Sequence, residues 1–402
     1  MKRELIVLTT IVLAGVAGWA VTTAVAGELH PPPGPIEPTM KTLEQVEARM
    51  PVQSLAGSLT ASYVIDQPGS YYLIDNIIGE PGKHGIEIAA HDVTVDLNGF
   101  TMTGLANSGD DAHGIYVTLA DCRNLCIHGG SIYFWNLGVH AEICTNGHFH
   151  DTRVYDCGVG MRPGKRALVE RLLADGCFDG FQSTSFCTFV ECQAKRGWSG
   201  FWCHGEGNTF VRCSVESAGL TAFAPGEGSL VLHCNVRDSN QGIGVGDGST
   251  VRDCNISSTW GVAISAGSRC VIADNNCNDN RIGVVVSNDE SRTRIERNTV
   301  SDCDEIGFQV TSPGNFIVSN VALNNTVDYD IAAGNTMGEL IDLTGGIVVT
   351  SGNPWANFGV GCLPGLDFCD GQCVDTETDP DHCGGCGVEC LPEETCVSGE
   401  CQ

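Results

Sequence analysis

Positive charge is what this sequence has least of. Lys and Arg number 21 against 49 Asp and Glu, a formal net charge of −28, and charged residues are only 17% of the chain. A nucleic-acid binder needs a basic footprint, so that class is excluded. Docking on anionic lipid is excluded for the same reason. A polyanionic substrate would be repelled unless a divalent cation bridged it, which keeps Ca2+ as a candidate cofactor and leaves no other implied. Helical periodicity is missing from residue 52 onward, which excludes helix bundles and βαβ crossovers. After residue 26 no apolar run reaches spanning length, so the mature chain is not an integral membrane protein.

Glycine and cysteine are abundant instead, at 51 and 22 residues. The first 26 residues account for the cysteines. Lys2 and Arg3 form a charged front, Leu5 to Ala20 is apolar, and Ala24-Val25-Ala26 has the small-residue spacing of a cleavage site. This is the pattern of a signal peptide, and it predicts a secreted or cell-surface protein. The rival reading is an uncleaved membrane anchor, since the apolar run approaches spanning length, and the A-x-A ending favours cleavage. Disulfides persist in that compartment. Residues 27–51 follow as a Pro-rich spacer, Pro31-Pro32-Pro33-Gly34-Pro35, and a short amphipathic helix over Thr39–Arg49 that covers the end of the next domain.

A small residue followed by a large apolar one then recurs. The pairs are Gly85-Ile86, Gly114-Ile115, Gly138-Val139, Gly158-Val159, Gly180-Phe181, Gly200-Phe201, Ala222-Phe223, Gly242-Ile243, Gly261-Val262, Gly283-Val284 and Gly307-Phe308. After the first step they are 19 to 24 residues apart. Such a period marks a repeat architecture. Each unit holds two or three short β-rich runs broken by Gly, Asn, Asp or Ser. The pattern predicts an all-β solenoid, a parallel β-helix of about eleven to twelve coils over residues 52–360, with the apolar member of each pair in one interior column.

The segments Gly69-Ser-Tyr-Tyr-Leu, Gly85-Ile-Glu-Ile-Ala and Val93-Thr-Val-Asp-Leu-Asn-Gly-Phe resemble the opening coils of right-handed parallel β-helix repeat proteins of the pectate-lyase-like superfamily, exported bacterial type. Asp330-Ile-Ala-Ala-Gly-Asn and Asn353-Pro-Trp-Ala-Asn-Phe resemble their closing segment. The resemblance implies the right-handed fold. It does not choose among lyases, glycoside hydrolases, epimerases and non-catalytic surface proteins. Of the polygalacturonase motifs only the paired Asp is present, at Asp110-Asp111, and it reads as a solvated turn.

The outward position beside the interior column reads Glu87, Tyr116, His140, Gly160, Gln182, Trp202 down the first coils. The next outward position reads Ala89, Thr118, Glu142, Arg162, Thr184, His204. Later coils present mostly small residues there. His140, Glu142 and Arg162 are the candidate catalytic set: an imidazole and a carboxylate for proton transfer, and a guanidinium to clamp a carboxylate or hydroxyls. Glu142 with Glu87 makes a distant carboxylate pair. Glu87, Tyr116, Gln182, Trp202 and His204 are the candidate substrate-binding residues, the aromatics offering flat faces to a sugar. Trp135 and Lys195-Arg196-Gly197-Trp198 are loops that flank this patch or pack on the outside.

Fourteen cysteines lie between residues 122 and 303. Cys192, Cys213, Cys234 and Cys254 share one coil position, which Asn298 and Asn320 continue. They read as buried thiols or occasional staples rather than metal ligands, with Cys157 and Cys177 a second candidate staple. Residues 361–402 form a separate module with Cys362, Cys369, Cys373, Cys383, Cys386, Cys390, Cys396 and Cys401. Four disulfides are the expected framework, of open connectivity. Zinc at Cys383-x-x-Cys386 is disfavoured by the oxidising compartment. Asp375, Glu377, Asp379 and Asp381 offer calcium ligands or an acidic loop. This module resembles Cys-rich tails of bacterial exported surface proteins, which implies attachment or protein contact.

Two functions remain. One is an exported carbohydrate-binding β-helix, with polysaccharide or cell-surface glycan as partner and lyase or hydrolase activity open. The other is a non-catalytic structural or adhesive surface protein. Oligomeric state is not legible.

Overall fold

The computed structural model describes residues 48–105, 111–287, 291–343, 352–359, 367–369, 372–385, 387–391 and 394–402. The expected signal peptide, the Pro-rich spacer with nearly all of the Thr39–Arg49 helix, and Asp110, Cys362 and Cys386 lie outside these residues.

Three parallel sheets make up the solenoid. The first has 14 strands from Met50–Pro51 to Thr336–Met337, the second 13 from Ala61–Ile65 to Val327–Ile331, and the third 14 from Ile77–Ile78 to the closing pair Leu340–Asp342 and Asn357–Gly359. Each sheet takes every third strand in chain order, so one coil contributes one strand to each. The coils outnumber the expected eleven to twelve. The reason is local: Ala61–Ile65 has Ser62, and Val327–Ile331 has Asp328, where the glycine would stand.

The interior column of the second sheet runs in register through Ile86, Ile115, Val139, Met161, Phe181, Phe201, Phe223, Ile243, Ile264, Val284, Phe308 and Tyr329. All are buried. Phe181, Phe201 and Phe223 stack with centroids 4.6 and 4.8 Å apart. Full burial of each such side chain stabilises by roughly 1.5–3 kcal/mol. Two members differ from the sequence expectation. Val159 pairs with Leu137 and Asp179, and Val262 with Ile282, so Met161 and Ile264 hold the column. The true pairs there are Gly160-Met161 and Ala263-Ile264.

The small partner is required by close approach. A Cβ on Gly160 would lie 2.4 Å from the carbonyl oxygen of Gly180, and one on Gly180 would lie 2.7 Å from that of Gly200. The coil corners, by contrast, are mostly turned without glycine. Arg171, Glu191, Arg212, His233, Asp253 and Asp274 recur with φ between 51 and 58° at one corner. L-residues pay for that conformation, roughly 1–2 kcal/mol each.

Residues just past these corners stitch the coils together. Asn275 Nδ2 donates to Asn298 Oδ1 (2.9 Å), Asn298 to Asn320 (3.0 Å) and Asn320 to Asn357 (3.2 Å). Cys192, Cys213, Cys234 and Cys254 fill the same slot as buried free thiols. The sulfurs of Cys192, Cys213 and Cys254 reach back one coil, as in Cys192 Sγ to Val169 O at 3.4 Å. Cys157 and Cys177 are also free thiols, so the expected staple is not formed. Burial against apolar neighbours suits the reduced sulfur without a bond.

In the Cys-rich module the disulfides among the described residues are Cys383–Cys396 and Cys390–Cys401. Cys369 and Cys373 lie on the paired strands Asp367–Cys369 and Gln372–Val374. With Cys383 bonded to Cys396, Cys383-x-x-Cys386 is not a zinc pair. Asp375 accepts from the Glu377 amide (3.0 Å) and Thr378 Oγ1 (2.6 Å), and Asp379 accepts from the Asp381 amide (2.9 Å). These carboxylates cap turns. No helix among the described residues is long and apolar enough to cross a membrane.

Candidate functional site

The outward face of the second sheet carries one row of side chains in strand register: Glu87, Tyr116, His140 and Arg162, then, one strand further on, Gln182 and Trp202. Five coil steps at ~4.8 Å make it roughly 24 Å long. Arg162 therefore stands in the first outward row beside His140. The sequence placed Gly160 there and Arg162 in the second row, because its interior pair was taken two residues early.

Glu142 lies just past the strand Leu137–Ala141 and is drawn back to the row. Its Oε2 is 3.5 Å from Arg162 Nη1 and 3.7 Å from His140 Nε2. Arg162 also donates to Gln182 Oε1, and Gln182 Nε2 donates to the Asp179 carboxylate at 2.7 Å. The expected catalytic set is thus one connected group, anchored at its far end by buried Asp179. Trp202 Nε1 donates to His204 Nε2 at 3.0 Å, one strand on from Gln182. Glu87 is held separately, by Thr60 and Thr118 hydroxyls at 3.2 Å each. It does not join Glu142 through any hydrogen bond.

Sequence reasoning missed two residues. His84 and His113 occupy the position just before the coil glycine, two strands running. Their rings stack at 5.0 Å, His84 packs on Tyr116 at 4.5 Å, and His113 meets His140 edge-on at 4.7 Å. The repeated His-Gly was the available signal. His113 is buried, and its Nδ1 and that of His140 have no protein hydrogen-bond partner. Burial pushes the His113 imidazolium down to about 4, helped by the neighbouring His140, His84 and Arg162 and opposed by Asp111. Burial, then Arg162, lowers His140 too, against the pull of Glu142. Both shifts favour the neutral imidazole.

A second feature runs along the corner that feeds this sheet. Phe178 and Trp198 are exposed and stack nearly parallel, 5.9 Å apart. With Asp156, Gly158 and Arg196 they line an open hollow of about 520 Å³. Trp198 stays exposed at this corner, whereas Trp135 is buried and donates its indole N–H to Met102 O at 3.3 Å. Asp111 accepts from Asn136 Nδ2 at 2.6 Å, as a turn residue would.

The family described as right-handed β-helix region matches residues 199–358. The stigma-specific STIG1-like protein family matches residues 350–402, the Cys-rich end. No curated protein matches the chain. Among solved structures, the catalytic unit of an α-1,3-glucanase from Streptomyces thermodiastaticus is 12% identical, with 78% of this chain and 68% of that one covered and a TM-score of 0.42. A mannuronan C-5 epimerase A-module from Azotobacter vinelandii is 15% identical, with 77% and 92% covered and a TM-score of 0.41. A mannuronic-acid-specific lyase from human gut microbiota is 12% identical, with 70% and 86% covered and a TM-score of 0.38.

Proposed function

We propose that this is an exported glycan-binding β-helix protein whose ligand lies along the row from Tyr116 to Trp202. One observation carries the reading: consecutive strands present a phenol ring, an imidazole, a guanidinium, an amide and an indole in register on one outward face. An extended sugar chain has repeating hydroxyls for the polar members and apolar ring faces for the aromatic ones. Rigid strands hold these groups at a fixed spacing, which lowers the ordering cost of binding. The single cation of the row is already shared between Glu142 and Gln182, so the face suits hydroxyl-rich chains better than polyuronates. Export is supported by the Ala24-Val25-Ala26 pattern and by the Cys383–Cys396 and Cys390–Cys401 disulfides. His140 beside Glu142 provides for proton transfer on a bound chain.

The test is a panel of neutral and uronic polysaccharides, with and without calcium, read for retention, new reducing ends and unsaturated products. Retention of a neutral glycan that is lost in Arg162→Ala and Trp202→Ala supports the site. Product formation abolished in His140→Ala adds catalysis. Absence of both retention and product across the panel rejects the glycan reading in favour of a structural surface protein.

A further inference from the structure

The first sheet carries an unrelated cluster on its outward side. Cys126 and His148 are register partners on neighbouring strands, and His150 lies two residues further along on the same face as His148. Their three ligand atoms, one sulfur and two ring nitrogens, all lie within 4.8 Å of one another. We propose that Cys126, His148 and His150 form a binding site for a borderline-soft divalent metal ion, with zinc as the reference ion.

The donor set selects the ion class. A thiolate with two imidazoles suits zinc or copper and is a poor set for calcium or magnesium, which take oxygen. The spacing also fits. Zn–S of ~2.3 Å and Zn–N of ~2.0 Å at a tetrahedral angle put sulfur and nitrogen roughly 3.5 Å apart. Cys126 Sγ and His150 Nε2 are 3.8 Å apart.

The groups behind the donors are those a metal site needs. Asp151 Oδ2 lies 2.8 Å from His150 Nδ1, which leaves Nε2 directed at the thiol. Asp151 is itself held by Arg171 at 2.8 and 2.9 Å. Glu170 Oε2 lies 2.8 Å from His148 Nε2. Carboxylates on ligating imidazoles fix the tautomer and the ring orientation. All three donor residues are partly exposed, so an ion has access and a solvent or substrate position stays open. Cys126 differs in this from the other body cysteines, which are buried. The site is built on strands of two adjacent coils, so little ordering is needed for binding. It is independent of the glycan row, which belongs to another sheet.

The full chain, stripped with chelator, is the material for the test. One arm measures alkylation of the Cys126 peptide by mass spectrometry with and without zinc. At zinc tenfold above its dissociation constant, protection of about tenfold is expected. A second arm titrates Co2+ and follows the thiolate-to-cobalt absorption. One equivalent is expected in the wild type and is lost in Cys126→Ser and in His150→Ala, each checked for β-sheet content. Alkylation of Cys126 at the same rate with and without zinc overturns the proposal. So does a cobalt band that persists in both variants, which would place the metal in the Cys-rich tail.

Discussion

Arg162 stands directly beside His140 on the neighbouring strand, and its guanidinium reaches past that ring to Glu142 Oε2 at 3.5 Å. It links the histidine-rich end of the row to the Gln182–Trp202 end. Arg162→Ala is expected to weaken glycan retention by about 10- to 100-fold, the scale of a charge-assisted hydrogen bond. The ion pair is partly solvated, so thermal stability should change by no more than about 1 kcal/mol. Affinity electrophoresis and a melting curve on the same sample check both. Retention unchanged with stability intact would remove Arg162 from the site.

On the proposed glycan reading, Trp202 and Trp198 are two separate platforms for a sugar ring. Trp202→Ala is expected to cost roughly tenfold or more in retention. Trp198→Ala acts on the corner hollow, so its loss should add to that of Trp202→Ala if one chain spans both. Calorimetry against oligosaccharides of increasing length separates the cases. An effect of Trp198 only for longer chains is the expected result.

The glycine column predicts a large effect from a small change. Gly160→Ala puts a methyl 2.4 Å from the Gly180 carbonyl oxygen and has no flexible side chain to displace. A loss of about 3 kcal/mol or more is expected in denaturant unfolding. Gly352→Ala has nothing within 4 Å and is expected to be neutral within about 0.5 kcal/mol. Similar values for both would contradict the packing described.

Acid should loosen the site as His113 takes up its proton. His113 is neutral in the folded chain down to about pH 4, whereas in the unfolded chain it takes its proton near ~6.5. A depressed pKa of this kind gives stability that is full above about 6.5 and is lost as pH falls toward 4. His84, His140 and Arg162 face the same ring and add to the repulsion, and Asp111 opposes it. The measured slope of stability against pH between those limits should fall in His113→Asn. An unchanged slope would show that other groups carry it.

Thiol chemistry provides a further check. Within the solenoid, Cys126 alone among the described cysteines is other than buried. Labelling of native protein should modify Cys126 first, with the remaining solenoid thiols reacting only on denaturation. Non-reducing peptide mapping should recover Cys383–Cys396 and Cys390–Cys401.

The period of small–apolar pairs determined the solenoid, because a coil that buries one face per strand must repeat its pattern at the coil length. The Cys-to-Asn column was legible for the same reason, and Asn275 joins it in the structure. Strand register was not legible. Side chains alternate with a period of two, so a slip of two residues leaves every inside and outside assignment unchanged. Gly158-Val159 and Gly160-Met161 satisfy the pattern equally, and only the pairing of Met161 with Val139 on the neighbouring strand distinguishes them. That slip is what separated Arg162 from His140 on paper.

Contacts between coils depend on side-chain reach, which no spacing encodes. Glu142 folds back to Arg162 from beyond its strand, and Trp135 turns into the core while Trp198 stays out. Cys126, His148 and His150 come from two coils of a sheet whose sequence shows no Gly marker. Residue types alone determined that thiols, imidazoles and carboxylates were present. Tertiary structure decided which of them meet, because register across coils is set by backbone packing and side-chain volume together rather than by the order of residues within one coil.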